Sequence, residues 1–401
     1  MVGGMDIVIA GGGVAGLEAL LVLGALAGDR ARLTLVAPDR DFVYKPLAVA
    51  EPFALAAGLR VPLERFAADA GAELVHDAVE SVDDAAGEVR LGSRRRLRYD
   101  ALLVAPGARA VDGLPGATTW RPGGDPAVYG GLLRDLEEGY ARRLAIVVPP
   151  GATWPLPAYE LALMTAGEAA GMGQPAQVTV VTPEPEPLAL FGPAASAAVA
   201  EELRRAGVAL RAGVAATVED GALVLRPGGE RIEGARVYSV PRLLGPALAG
   251  LPADEEGFVL AGDDARVEGC ERTWAAGDGV RSPLKFGGLA THQARRAVAG
   301  IARVTGLGEV PDPGEPVIHG RLLTGGRSRR LRGRGDGDAA PLWWPSGKVA
   351  GEHLPRWLAE HGEAPGAAAS GTPGGGVEVD RTLAAMRAVE ARYVHDLARR
   401  A

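Results

Sequence analysis

The sequence predicts an α/β protein with two Rossmann-like dinucleotide-binding domains, the second inserted in the first, followed by a C-terminal α+β part. Three observations predict it. The apolar run Asp6-Ile7-Val8-Ile9-Ala10 leads into Gly11-Gly12-Gly13-Val14-Ala15-Gly16, which has the glycine spacing of a strand–turn–helix nucleotide loop. Far downstream, Thr273-Trp274-Ala275-Ala276 leads into Gly277-Asp278-Gly279. Between them, Leu144-Ala145-Ile146-Val147-Val148 opens a second strand–turn–helix unit.

Residues 6–10 and 33–37 read as the first two parallel strands, with Leu17 to Ala27 as the crossover helix. A further strand over 99–105 ends in Pro106-Gly107. In the middle of the chain, 144–148 and 177–181 read as partner strands, and 236–240 as a return strand. Gly257-Phe258-Val259-Leu260 leads back towards Asp278. This order assigns 1–115 and 250–315 to one domain and 116–249 to the insertion, and leaves 316–401 as the C-terminal part. That part holds an expected hairpin (Val317 to Leu323, the turn Thr324-Gly325-Gly326, then Arg327 onwards) and a Trp343-Trp344-Pro345 segment. A Gly/Ala/Pro/Ser-rich linker follows over 362–376, and an amphipathic helix runs from Thr382 to Arg400.

A chain of 401 residues suits two or three domains at about 100–200 residues each. With 47% hydrophobic and 23% charged residues it has an ordinary globular composition. A net charge of −7 argues against a general nucleic-acid binder. The lone cysteine, Cys270, excludes an intramolecular disulfide and a dithiol redox centre. No signal segment is visible, and the longest apolar run, Leu20 to Ala27, is too short to span a bilayer. The expected location is therefore cytoplasmic, with attachment to a membrane surface as the alternative.

The chemistry of the two glycine motifs narrows the ligand. Gly11 permits the turn, Gly13 lets the backbone approach a pyrophosphate, and Gly16 lets helix and strand pack closely. The pyrophosphate would sit on a helix N-terminus, where unpaired N–H groups and the dipole favour an anion. That loop alone does not separate NAD from FAD. Asp278, placed after Ala-x-Gly at a strand end, suits a ribityl hydroxyl, which FAD has and NAD lacks.

The segments GGGVAG, YDALLVAPGA, GFVLAGDD, TWAAGDGV and KFGGLATHQA together resemble the two-dinucleotide-domain flavoproteins of the pyridine nucleotide-disulfide oxidoreductase superfamily. Within them the chain is most similar to the branch of type II NADH dehydrogenases, sulfide:quinone oxidoreductases and flavocytochrome c sulfide dehydrogenase. The resemblance implies FAD in the first domain, a nicotinamide-type second domain, and a C-terminal part over the flavin that often meets membrane and quinone. It places Gly11, Gly13, Val14, Ala15 and Gly16 at the pyrophosphate and Ala105-Pro106-Gly107 beside the FAD, with Pro replacing the family's Thr. Gly277 and Asp278 come at the ribityl chain, and Lys285, Phe286 and Gly287 beside the flavin ring, at a helix start that stabilises negative charge. Lys45 and Pro46, within Tyr44-Lys45-Pro46-Leu47, line the other side of the flavin; Ala37, Pro38 and Val79 complete the cofactor set.

Three departures from the family matter. The ribose-binding acid expected about 20 residues after the glycines is absent: Ala37-Pro38 stands there, with Asp39 slightly late. The inserted domain carries Pro149-Pro150-Gly151-Ala152-Thr153-Trp154-Pro155-Leu156-Pro157-Ala158-Tyr159-Glu160 in place of GxGxxG. Prolines remove N–H donors where a pyrophosphate needs them, so NAD(P) is a doubtful ligand. Finally, one cysteine cannot run a relay in which a thiolate attacks and a partner sulfur resolves.

Other residues weigh differently. Lys285 reads as a group that tunes the flavin or protonates a quinone oxygen, against an ordinary surface lysine. Glu160 reads first as a complement to its helix dipole, with an acid near the flavin as the alternative. Trp343-Trp344-Pro345 with Lys348 reads equally as a wall for flavin or acceptor and as packing. His292 reads as structural or exposed rather than as facing the flavin, His319 and His353 are weaker still, and no spacing resembles a metal site. The basic run Arg327-Ser328-Arg329-Arg330-Leu331-Arg332-Gly333-Arg334 reads as a solvated arm before it reads as a contact for anionic lipid. The final helix is expected to pack on its own domain or on a second subunit of a homodimer rather than on a membrane. The expected function is an FAD-dependent oxidoreductase moving two electrons or a hydride to a quinone-like or other small acceptor without a cysteine relay. The alternatives are an NAD(P)H:acceptor reductase of the type II kind and a non-catalytic flavin-binding protein.

Overall fold

A computed structural model describes residues 4–56, 58–174, 176–316, 318–326, 328–332, 348–349 and 351–363. Its frame is a five-stranded parallel sheet, in the spatial order Thr273–Ala275, Ala101–Val104, Met5–Ala10, Ala31–Val36, Ala72–Val75. The central strands are buried on both faces, which is why they read as unbroken Val/Ile/Leu/Ala runs rather than as alternating ones. The helices Val14–Ala27 and Gly287–Thr305 pack on one face around Ile7, Ile9, Leu20, Leu103 and Trp274. An antiparallel meander, Val79–Asp83, Glu88–Leu91 and Arg96–Arg98, covers the other face with Val82, Val89 and Leu91.

A second five-stranded parallel sheet repeats the winding in the order Thr118–Thr119, Arg236–Ser239, Arg143–Val147, Gln177–Val181, Ala209–Arg211. It too has a three-stranded meander, Ala215–Glu219, Ala222–Arg226 and Arg231–Ile232, ahead of one of its strands in the chain. The helix Pro126–Glu137 enters this unit with Asp125 as N-cap, its carboxylate accepting from the Ala127 N–H at 2.8 Å, and proline in the first turn. Residues 118–239 thus lie, in sequence, between the fourth and fifth strands of the first sheet. The chain leaves and returns through one antiparallel ladder, Arg109–Val111 against Arg242–Leu244.

The hairpin pairs His319–Leu322 with Arg329–Arg332, and buries Leu322 and Leu331 in the core of the second unit. Within the basic run, Arg329 is tied to Glu202 at 2.6 Å. The segment 257–260 forms only isolated bridges, Val259 with Val280 and with Ala253. Trp343-Trp344-Pro345, the linker beyond Glu363, the helix expected over 382–400, and Arg327, Gly333 and Arg334 lie outside the described residues. Among the described residues, no helix is long and apolar enough to cross a membrane, and no His/Cys/Asp/Glu group is placed to hold a metal ion.

Candidate cofactor site

The predicted cofactor residues converge at the carboxyl edge of the first sheet, where a doubly wound fold presents its ligand crevice. Met5–Ala10 ends at Gly11, Ala31–Val36 at Ala37-Pro38, Ala101–Val104 at Ala105-Pro106-Gly107, and Thr273–Ala275 at Gly277-Asp278. Gly11 has φ +130°, and a β-carbon there would collide with the Ala105 carbonyl. At Gly16 a β-carbon would collide with the Gly11 carbonyl. Gly13 differs: a β-carbon there meets nothing within 4 Å, so the loop leaves open space over the helix N-terminus. Leu17 N–H, bonded to Gly13 O at 2.9 Å, is the first to bond back, and no side chain caps the donors ahead of it. Those donors are uncapped and fit an anion.

Gly277 closes on this loop, a β-carbon at its φ of +83° standing 3.1 Å from Ala15 Cβ. Its N–H is held by Gln293 Oε1 at 2.9 Å. The adjacent Asp278 is half-buried, and among the described residues no hydrogen bond engages its carboxylate. Burial pushes the Asp278 carboxyl above its ordinary range, and the charges of Lys285 and Lys45 pull it back. A half-buried carboxylate with unused lone pairs beside an open helix N-terminus fits the ribityl hydroxyls and pyrophosphate of FAD.

Lys285 is not a surface lysine; it is 5% exposed. Its Nζ donates to Val280 O at 2.5 Å and lies 3.9 Å from the centroid of the Phe258 ring. Burial pushes its pKa down, against Asp278, Asp254 and Glu256. Phe286 is the N-cap residue of the Gly287–Thr305 helix. Lys45 is exposed and Pro46 half-buried in a 3₁₀ segment, Lys45–Phe53, while Tyr44 before them is buried. Val79 is half-buried at a register shift of the meander. Asp39 is exposed just past the second strand.

The second loop is built to a different end. Leu156–Gly171 starts behind Pro155 and carries Pro157 in its first turn, and the Ala158 N–H is already bonded to Pro155 O. Trp154 stacks on Phe286, and Lys285 N–H reaches Thr153 O at 3.3 Å. Glu184, just beyond the second strand of this unit, is where a ribose-reading acid would stand. It accepts instead from Tyr159 Oη at 2.7 Å and Thr182 Oγ1 at 3.0 Å.

Glu160 corrects the helix-dipole reading. It is wholly buried and accepts two bonds from Lys348 Nζ, at 2.6 and 2.7 Å, and one from Leu323 N–H at 2.9 Å. Burial pushes Glu160 up and Lys348 down, and each one's charge opposes the other's shift. Sequence reasoning missed Glu18, also wholly buried, which accepts from the N–H groups of Glu352, His353 and Leu354. The sign of it in the sequence was a glutamate inside an otherwise apolar first helix. His292 is structural: its Nε2 lies 2.7 Å from Gly314 O. Cys270 lies at the opposite edge of the sheet, before the amino end of Thr273–Ala275, and burial with Asp84 nearby pushes its thiol up to about 11.

Two parallel dinucleotide folds in one chain, one of them keeping an open anion cradle beside a half-buried carboxylate, define a two-dinucleotide-domain flavoprotein class. The family model described as pyridine nucleotide-disulphide oxidoreductase matches residues 5–299. The chain belongs to that family. It is 30% identical over 190 residues to the sulfide-quinone reductase of Aquifex aeolicus, a match that spans 45% of this chain and 43% of that relative. Its fold is similar to the sulfide:quinone oxidoreductase structure from the same bacterium, with a TM-score of 0.71 at 19% identity over 82% of this chain and 83% of that one. It is also similar to NDH2 from Plasmodium falciparum, with a TM-score of 0.56 at 13% identity over 69% of this chain and 64% of that one.

Proposed function

We propose that the protein binds FAD in the Gly11–Asp278 crevice and passes two electrons through it to a quinone-like or other small acceptor without a cysteine relay. The observation that carries this reading is the open helix N-terminus at Gly13 beside the unengaged Asp278 carboxylate. FAD, when bound, supplies the exchange of two electrons between a donor and an acceptor. The chain's own residues bind and orient. Val14, Ala15 and Gly16 N–H groups hold the pyrophosphate, Asp278 accepts from the ribityl chain, and Ala37, Pro38 and Val79 border the adenosine end. Lys45 and Pro46 flank the flavin opposite Phe286 and Gly287. Lys285 keeps positive charge near Asp278, and the N-terminus of Gly287–Thr305 favours negative charge beside it. In this reading residues 1–115 and 250–315 form the FAD domain, 116–249 the inserted domain, and 316–401 the part over the flavin.

Reduction of a quinone consumes two electrons and two protons, so a thiol is not required. Placing Cys270 at the far edge of the sheet supports a route without it. The prolines of the second loop, the Trp154–Phe286 stack and the engagement of Glu184 weigh against a nicotinamide donor. The test is anaerobic stopped-flow reduction of the purified holoprotein by NADH, NADPH, sulfide and quinols. Flavin that only quinols or sulfide reduce fits the proposal. Rapid bleaching by NADH or NADPH overturns it for the nicotinamide reductase, and a flavin that no donor reduces leaves the non-catalytic reading.

A further inference from the structure

Glu18 and Glu160 occupy the same position in the two dinucleotide folds. Each is the fifth residue of the helix that leaves its loop, Val14–Ala27 for one and Leu156–Gly171 for the other, and each is 0% exposed. A buried carboxylate is costly unless it is paired, and both are paired by one short stretch of chain. Glu160 holds Lys348 Nζ. Tyr44 Oη accepts from the N–H groups of Lys348 and Val349 at 3.0 and 3.1 Å. Glu18 accepts from Glu352 and His353 N–H on one oxygen, at 3.1 and 3.2 Å, and from Leu354 N–H on the other at 2.7 Å. These are the free donors at the start of the helix His353–Glu360. Between the anchors the segment crosses the N-terminus of Gly287–Thr305. A β-carbon on Gly287 would stand 2.6 Å from Val349 Cγ2, and one on Gly351 would stand 2.9 Å from Thr291 Cγ2 and 3.3 Å from Glu18 Oε2.

We propose that Glu18 is a positioning residue of the flavin site: by holding the start of the His353–Glu360 helix, it fixes Val349 and Lys348 against Gly287 as the acceptor-side wall. The wall is short. Three residues separate Lys348 from Glu352, four backbone steps with a reach of about 13–14 Å at full extension, so release at Glu18 is felt at Lys348. A side-chain carboxylate capping a distant helix is otherwise a local device; here its counterpart at Glu160 secures the other end of the same segment. The role as an acceptor wall rests on the proposed function above, whereas the coupling of the two ends does not.

The test uses the full chain with FAD and two variants, Glu18→Gln and Gly351→Ala. The first keeps size but offers one acceptor oxygen to three donors. The second leaves Glu18 intact and crowds the strap from within. Amide hydrogen exchange reads Glu352–Leu354 and Lys348–Val349 separately. In Glu18→Gln exchange is expected to rise roughly ten- to a hundredfold at both groups of amides, the loss of one charged hydrogen bond, and in Gly351→Ala crowding against Thr291 is expected to raise both groups together. Flavin content is retained, and the KM for a short-chain benzoquinone rises about tenfold while kcat stays within about threefold, the split that marks lost ground-state binding. Exchange that rises at Glu352–Leu354 while Lys348–Val349 stays protected overturns the proposal and makes Glu18 a local cap. If Glu18→Gln does not fold, Gly351→Ala decides by the same readout. A wild-type flavin that no benzoquinone reoxidises defeats the functional reading instead, and the exchange result still decides the coupling.

Discussion

The indole of Trp154 lies flat on the ring of Phe286, 4.8 Å between centroids and 16° between planes. It joins the second dinucleotide loop to the cap of the helix that borders the proposed flavin site, and Phe191 closes the cluster at 5.8 Å from Trp154. In the proposed reading, a side chain in this place would take the room a nicotinamide ring needs to reach the flavin. Removing it does not rebuild the loop, because Pro155 and Pro157 still withhold N–H donors. Trp154→Ala is therefore expected to lose about 1–3 kcal/mol of stability, the cost of an aromatic pair and its burial, without gaining reduction by NADH. Urea unfolding and anaerobic reduction measure the two effects. Fast NADH reduction in the variant would mean that the tryptophan alone was the barrier.

Asp278 makes the second test. Asp278→Ala removes the acceptor proposed for the ribityl chain and deprives the buried Lys285 of its strongest charge partner. FAD affinity is expected to fall about 10–100-fold, the range of one charged hydrogen bond. Asp278→Asn keeps an acceptor oxygen and should lose less. Titration of the apoprotein with FAD, followed by flavin fluorescence, gives both constants. Equal affinity in the wild type and the alanine variant would remove Asp278 from the site.

Cys270 carries a prediction of the opposite sense. Its thiol is half-buried and pushed up to about 11, so at neutral pH it is almost wholly protonated. Thiolate is the reactive form, so alkylation by iodoacetamide should be slow at pH 7 and climb about tenfold per pH unit towards 10. Cys270→Ser should leave flavin reduction and turnover within about twofold of wild type. A large loss of turnover would restore a role for the thiol and sink the relay-free reading.

The parts legible in the sequence were those fixed by local chemistry. Gly13 and Gly16 announce an open cradle and a close contact because each need is met within a few residues, whereas Gly11 also makes room for the Ala105 carbonyl of a neighbouring strand. The long apolar strands announce a buried parallel sheet for the same reason. Short meander strands such as Arg96–Arg98 and Arg231–Ile232 carry too few residues for their alternation to stand out. Glu18 and Glu160 were illegible as anchors because their partners lie 334 and 188 residues away along the chain. A glutamate in a first helix looks like dipole chemistry until the fold brings a distant lysine or a distant helix start onto it.

The Lys348–Glu160 pair gives the sharpest energetic test. Both side chains are almost fully buried, 7% and 0% exposed, and their contacts are 2.6 and 2.7 Å. Removing one partner strands the other charge in a place where burial already works against it. Lys348→Met is expected to cost about 3–5 kcal/mol, and Glu160→Leu a similar amount, as broken buried pairs do. The double variant Lys348→Met/Glu160→Leu should recover most of the loss, since an apolar pair of similar volume leaves no stranded charge. The Leu323 N–H would still lose its acceptor in that variant, so recovery should stop about 1 kcal/mol short of wild type. Urea midpoints of the holoprotein complete the cycle and yield the coupling energy directly. Additive losses in the double variant would show that the two charges do not act as a pair.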